Sequence, residues 1–159
     1  MADMADLILE SDLGNALTRE EAEILDSLMS SQQLVDGEYL ITEGANDDSL
    51  HILVQGKLEV VKTTGAGETA SLAVLRDGEL AGELSFIDSE PHTVALRALC
   101  DCVVLSLARE EFERIVTEHP QLVYKVMRAI ARSAHRIVHR MNLQFVELSN
   151  YVFKQHGRY

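Results

Sequence analysis

Six histidines, two cysteines and one Gly-Glu pair at a helix-start pattern are the residues of this chain whose types could do chemistry. His135 and His139 stand four apart, which puts them on one side of a helix at the spacing of a two-ligand metal site. Arg132, Arg136 and Arg140 crowd the same turns and would repel a cation, so the pair reads as part of a solvated basic face. Cys100 and Cys102 are two apart in a strand-like run, on one face, with no CxxC or paired Cys/His spacing beside them; they read as core thiols. His51 and His92 fall in separate segments with no His-x-His pattern, whereas a metal-dependent barrel enzyme of the cupin type needs several convergent His and carboxylate ligands. Gly82-Glu83-Leu84-Ser85 has the form of a helix start, where the dipole favours an acid, and Pro91-His92-Thr93 follows it. No kinase or cyclase motif stands beside them, so the chain is expected not to be an enzyme and to pass any output through a partner protein or through a dimer.

The elements that must position these residues are legible from periodicity. Thr18-Arg19-Glu20-Glu21 is a capping box, in which the Thr18 hydroxyl and the Glu21 carboxylate satisfy each other's free amides, and Ala22, Leu25, Leu28 and Met29 give the helix that follows an apolar face. From Gln33 the period becomes two: Leu50, Ile52 and Val54 alternate with His51, Leu53 and Gln55. Seven of the nine glycines punctuate residues 37 to 82, where turns between short strands need positive φ. Two more strands are expected, Thr93 to Ala98 and Cys102 to Leu107, then a charged helix from near Arg109. This is the pattern of a sandwich or barrel: a mainly β chain with flanking helices.

Pro120 suits the first turn of a long C-terminal helix that no glycine or proline interrupts as far as Phe153. Val123, Met127, Ile130, Ala134, Ile137, Met141, Gln144, Leu148 and Tyr151 alternate spacings of four and three, the heptad seam of a coiled coil. Ala131, Val138, Phe145 and Val152 widen the stripe, so that one flank could pack on the barrel while the seam meets a second copy. The expected organisation is residues 1–121 as N-terminal helix, barrel and short helix, and residues 122–159 as dimerisation helix and tail. The expected assembly is a homodimer.

At 159 residues and 47% hydrophobic content the chain has material for one domain with a real core. Its net charge of -12 is segregated: up to Gln121 seven basic residues stand against 25 acidic ones, -18, and beyond it seven against the single Glu147, +6. An acidic body repels nucleic acid and anionic lipid, while the basic helix is suited to acidic surface on its own barrel or on a partner subunit. The acidic start Met1-Ala2-Asp3-Met4-Ala5-Asp6 is unlike a secretory signal and no stretch is apolar enough to span a bilayer, so a cytoplasmic protein without membrane contact is expected.

Gly37-Glu38-Tyr39-Leu40-Ile41-Thr42-Glu43-Gly44 and Leu50-His51-Ile52-Leu53-Val54-Gln55-Gly56-Lys57-Leu58-Glu59-Val60 closely resemble the cyclic nucleotide-binding family, and Gly78-Glu79-Leu80-Ala81-Gly82-Glu83-Leu84-Ser85 with Pro91-His92-Thr93-Val94 resembles its phosphate-binding cassette. The resemblance runs from the first helix to the long helix, in the manner of the effector domain and dimerisation helix of the bacterial catabolite activator protein. It implies a double-stranded β-helix (jelly-roll) barrel plus the long C-terminal helix. It also implies a ligand site at Gly82, Glu83, Leu84, Ser85, His92 and Thr93, with cyclic AMP or cyclic GMP as ligand and no required cofactor. A helix starting after Gly82 would present free amides to a cyclic phosphate, Glu83 corresponds to the glutamate that binds the ribose hydroxyl, and His92 stands where the family has arginine. Imidazole offers at most two donors where guanidinium offers a permanent charge and a planar fork, and Arg97, five positions on, falls on the opposite face of an extended strand. Ile137 and Val138 replace polar base-contacting residues. The sequence therefore supports a dimeric sensor that binds a cyclic nucleotide weakly or with altered specificity, acting through an output protein. The competing reading is a ligand-free dimeric scaffold. After the long helix only Lys154-Gln155-His156-Gly157-Arg158-Tyr159 remain, too few for a recognition helix, so no sequence-specific DNA binding is expected.

Overall fold

The structure, a computed structural model, describes residues 3–156. Two short helices open the chain, α1 (Met4–Glu10) and α2 (Arg19–Leu28). The second is closed by the expected capping box, with Glu21 N–H donating to the Thr18 hydroxyl at 3.2 Å and Thr18 N–H to the Glu21 carboxylate at 3.0 Å. The first helix was not anticipated. Asp3 caps it, accepting from the Asp6 amide at 2.9 Å.

Eight strands follow: β1 (Ser30–Leu34), β2 (Tyr39–Ile41), β3 (Leu50–Gln55), β4 (Leu58–Thr63), β5 (Thr69–Leu75), β6 (Leu80–Ala81), β7 (Ala95–Ala98) and β8 (Cys102–Leu107), with helix α3 (Glu83–Asp88) between β6 and β7. They form two four-stranded antiparallel sheets, ordered β1-β8-β3-β6 and β2-β7-β4-β5, the expected jelly roll. The alternation in β3 sorts its residues between two cores. Leu50 and Ile52, with Leu105 and Leu107 of β8, pack under the helices against Ile8, Leu25, Val126 and Ile130. Leu53 and Val104 turn the other way and meet Leu34, Leu58, Ala98 and Cys102 between the sheets. His51 pairs with Ser106 across the strands, and the pleat sends both toward that inter-sheet space.

One strand boundary and one cysteine placement differ from expectation, while β8 keeps its expected bounds. The strand expected from Thr93 begins at Ala95, because the main chain of His92 is bonded to the loop before β3, and pairing with β4 starts only at Ala95 opposite Val61. Cys100 lies in the bend before β8, so the two cysteines do not share a strand face; Cys102 is buried in the core and Cys100 packs partly buried beside it.

After the short α4 (Arg109–Arg114), α5 (Pro120–His156) runs 37 residues, about 55 Å. Its first turns bury Leu122, Val126, Ala129, Ile130 and Ser133. Ile130, expected in the dimer seam, is a correction: it is 1% exposed inside the chain's own core and has no surface to offer a partner. Ion pairs from Lys125 to Glu21 (2.6 Å), Arg136 to Asp12 (3.0 Å) and Arg140 to Glu79 (3.3 Å) dock the basic helix on its own acidic body. Farther on, Val138, Phe145, Leu148 and Tyr151 are exposed; the side chain of Met141 and residues 157–159 lie outside the described part. Among the described residues no helix is long and apolar enough to cross a membrane.

Candidate functional site

The site is built on the turn from β6 into α3. Gly82 caps α3 with φ +77°, in the left-handed region that favours glycine, and a Cβ there would lie 2.9 Å from the Ser49 carbonyl and 3.3 Å from the His51 ring. Both conformation and space therefore exclude a side chain. The first intrahelical bond runs from Phe86 N–H to the Gly82 carbonyl at 3.0 Å, so the amides of residues 83 to 85 lie ahead of the helix's own ladder.

Successive cassette side chains alternate inward and outward. Glu83 is 6% exposed and Ser85 5%, whereas Leu84 between them is 67% exposed and touches solvent. Burial pushes the Glu83 carboxyl above the usual range and the negative charge of Glu79 adds to this, while its own amide opposes them. No ion pair to Glu83 is found among the described residues, which leaves a buried carboxylate without a protein cation. Ser85 donates its hydroxyl to the Glu90 carbonyl at 2.7 Å and lies 3.2 Å from His92 Nδ1.

His92 is buried, and it is bonded to the loop before β3 rather than presented to open space. Its Nε2 lies 2.7 Å from the Asp47 carbonyl, its amide donates to the Ala45 carbonyl at 3.0 Å, and its carbonyl accepts from Gly44 N–H at 2.7 Å. A carbonyl can only accept, so Nε2 carries a proton and Nδ1 faces Ser85. His51 reaches the same loop from β3, with Nε2 2.8 Å from Asp47 Oδ2 and Nδ1 2.7 Å from the Ser106 hydroxyl. The His51 bond, helped by Ser49 N–H, holds the Asp47 carboxyl down to about 2 against desolvation. Histidines that look isolated in the sequence thus converge on Asp47 and on Gly82.

Thr93 is exposed, and its carbonyl accepts from Lys62 Nζ at 2.7 Å. Lys62 also contacts Glu43 at 3.2 Å, and Glu43 is held low first by the Thr63 amide and then by Lys62. Arg97 is taken up by Glu59 at 3.1 Å. Sequence reading missed Asp47 and Lys62 because neither lies in the cassette; Lys62 reaches it only because β4 pairs with β7. Gly82, Glu83 and Ser85 are brought together with His92, whereas Leu84 and the Thr93 side chain stand outside that buried cluster. The arrangement sets a buried carboxyl, which can accept from hydroxyls, beside the free amides of α3, which can donate to an anion.

Comparison with known proteins gives this geometry a context. Residues 31–119 match the cyclic nucleotide-binding domain family. Human patatin-like phospholipase domain-containing protein 6 is 26% identical over 154 residues, 94% of this chain, and the chain spans only 11% of that protein's length. The N-terminal domain of a transcriptional regulator from Streptomyces coelicolor A3(2) superposes with a TM-score of 0.73 at 30% identity, covering 83% of this chain and 94% of the other. The catabolite activator protein of Thermus thermophilus does so with 0.75 at 26% identity, over 87% of this chain and 63% of the other.

Proposed function

The chain belongs to the cyclic nucleotide-binding domain family, and from that premise we propose that it is a dimeric regulatory module that binds a cyclic nucleotide or a related small anion weakly or with altered base preference. The observation that carries this reading is Glu83, a buried carboxylate with no protein cation beside a glycine that only close approach and a left-handed turn require. Holding such a group as a buried anion with no cation beside it is costly, and a ligand hydroxyl donating to it would offset that cost. Gly82 and the amides of Glu83, Leu84 and Ser85 take the anion, with Thr93 at the edge. His92 holds the cassette in place, and because its nitrogens are engaged by Asp47 and Ser85 the grip on phosphate is weak. Dimerisation uses the face carrying Met127, Ala134, Ile137 and Leu148, with Val123 and Met141 on the same heptad line and Ile130 withdrawn into the core. An output partner reads the dimer, in the cytoplasm.

Calorimetric titration of wild type and Glu83→Gln with cyclic AMP and cyclic GMP tests the reading. Binding in the wild type that weakens at least tenfold in the variant supports it. The ligand-free scaffold is favoured by one specific observation: among the described residues every buried side-chain polar atom already has a partner. No thermal stabilisation by any nucleotide would decide for that scaffold, since a ligand of the native state must raise the melting point.

A further inference from the structure

We propose that the basic ridge at the root of α5 is a second binding site, distinct from the cassette, for a compact polyphosphate anion. Asn15, Arg128, Ala131, Arg132, His135 and Arg136 line an open surface hollow of about 550 Å³ between α5 and the segment joining α1 to α2. Arg128, Arg132 and Arg136 recur every four residues, so their guanidinium groups rise about 6 Å per step along one ridge. Arg136 is paired with Asp12 at 3.0 Å, which fixes the helix against the facing segment. Arg128 and Arg132 are exposed and have no carboxylate in ion-pair reach among the described residues.

Like charges one helical turn apart oppose each other, and an anion lying across them removes that repulsion. The wall opposite is fixed. Asp12 N–H donates to the Gly78 carbonyl at 2.9 Å and Gly14 N–H to the Ser11 carbonyl at 3.0 Å, and a Cβ at Gly14 would fall 2.2 Å from the Ile8 carbonyl, so this segment folds back tightly and carries Asn15 to the hollow. Planar guanidinium forks match phosphate oxygens, and the open hollow lets a compact anion reach them from solvent. Ala131 is the only apolar lining residue, so the hollow offers charge and little apolar surface for the side chains of a peptide. Extended nucleic acid would meet the acidic body, which repels it. On the heptad line of Met127, Ala134 and Ile137 the ridge lies on the outer face, so pairing of two helices leaves it open.

The full-length chain is titrated at low ionic strength with inorganic tripolyphosphate and with ATP. Saturable binding of tripolyphosphate is expected, falling as salt rises, at least tenfold weaker in R128A/R132A and unchanged in Glu83→Gln. Equal affinity for the two ligands identifies the phosphate chain as the recognised group, and a tenfold preference for ATP identifies a nucleotide; both support the site. R128K/R132K, which keeps the charges and removes the forks, is expected to bind with intermediate affinity and covers the case in which the alanine variant misfolds. Absence of saturable binding in the wild type, or unchanged affinity in both variants, overturns the proposal. So does a DNA duplex that outcompetes tripolyphosphate through the same arginines.

Discussion

The Nε2 of His92 lies 2.7 Å from the main-chain oxygen of Asp47, and this bond, with those to Ala45 and Gly44, latches the cassette to the loop before β3. The loop is in turn held to β3 by His51 through the Asp47 carboxylate at 2.8 Å. His92 therefore joins two segments of the chain, the cassette and the loop before β3.

Replacing His92 separates these roles. His92→Ala should destabilise the protein by about 1–3 kcal/mol through the unanswered Asp47 and Ser85 groups, a fall of about 2–4 °C in melting temperature per kcal/mol. His92→Arg should raise affinity for cyclic AMP roughly tenfold or more by supplying a charged fork, with the ratio of cyclic AMP to cyclic GMP affinity unchanged because the substitution adds nothing that distinguishes the two bases. Calorimetry on both variants checks this; unchanged affinity in His92→Arg would mean that the cassette does not hold a phosphate.

Glu83→Gln should stabilise the unliganded protein at neutral pH by about 0.5–2 kcal/mol, the usual size of a trade between site and fold. The folded carboxyl sits above its ordinary value because of burial, so the folded state gives up the proton less readily than the unfolded one. The wild type thus loses stability as pH rises from the ordinary carboxyl value through the raised one, and the variant does not. Denaturant midpoints measured at pH 4 and pH 7 test the sign.

Asp47→Asn should make the protein more sensitive to acid. The wild-type carboxyl is held at about 2 in the fold, so its contribution is present above the unfolded value of 3.8 and is lost as pH falls through 2. Circular dichroism between pH 5 and pH 2 should show the variant unfolding at higher pH. Superimposable acid transitions would show that the His51 bond adds nothing to the fold.

Gly82→Ala should cost about 1–3 kcal/mol, since the left-handed turn strains any side chain and the Ser49 carbonyl stands 2.9 Å from its Cβ. Thermal melts read the loss. Nucleotide affinity should fall with it, because relieving the contact moves the first turn of α3.

Two isoleucines on one heptad line should behave oppositely. Ile137→Glu, at a position 41% exposed, should leave the fold intact and dissociate the dimer by placing like charges in the seam. Ile130→Ala, at a position 1% exposed, should destabilise the fold by about 2–5 kcal/mol. Sedimentation and thermal melts distinguish the two, and a wild type that sediments as a monomer at micromolar concentration would remove the dimer.

What the sequence determined by itself was whatever depends on neighbours along the chain. The capping box of α2, the two-residue alternation of β3 and the uninterrupted run of α5 all follow from local hydrogen bonding and side-chain period. The position of the cassette came instead from the resemblance of residues 78–85 and 91–94 to the family. The tertiary structure alone decided which side chains meet. Asp47 gathers His51 from β3 and His92 from beyond α3, Lys62 crosses from β4 to the Thr93 carbonyl, and Ser106 reaches His51 through strand register. Ile130 shares its heptad spacing with Ile137, yet the barrel covers one and not the other. Periodicity fixes the direction of a side chain from its own backbone; what stands in that direction is set by sheet order and loop closure, which bring together residues that no spacing along the chain relates.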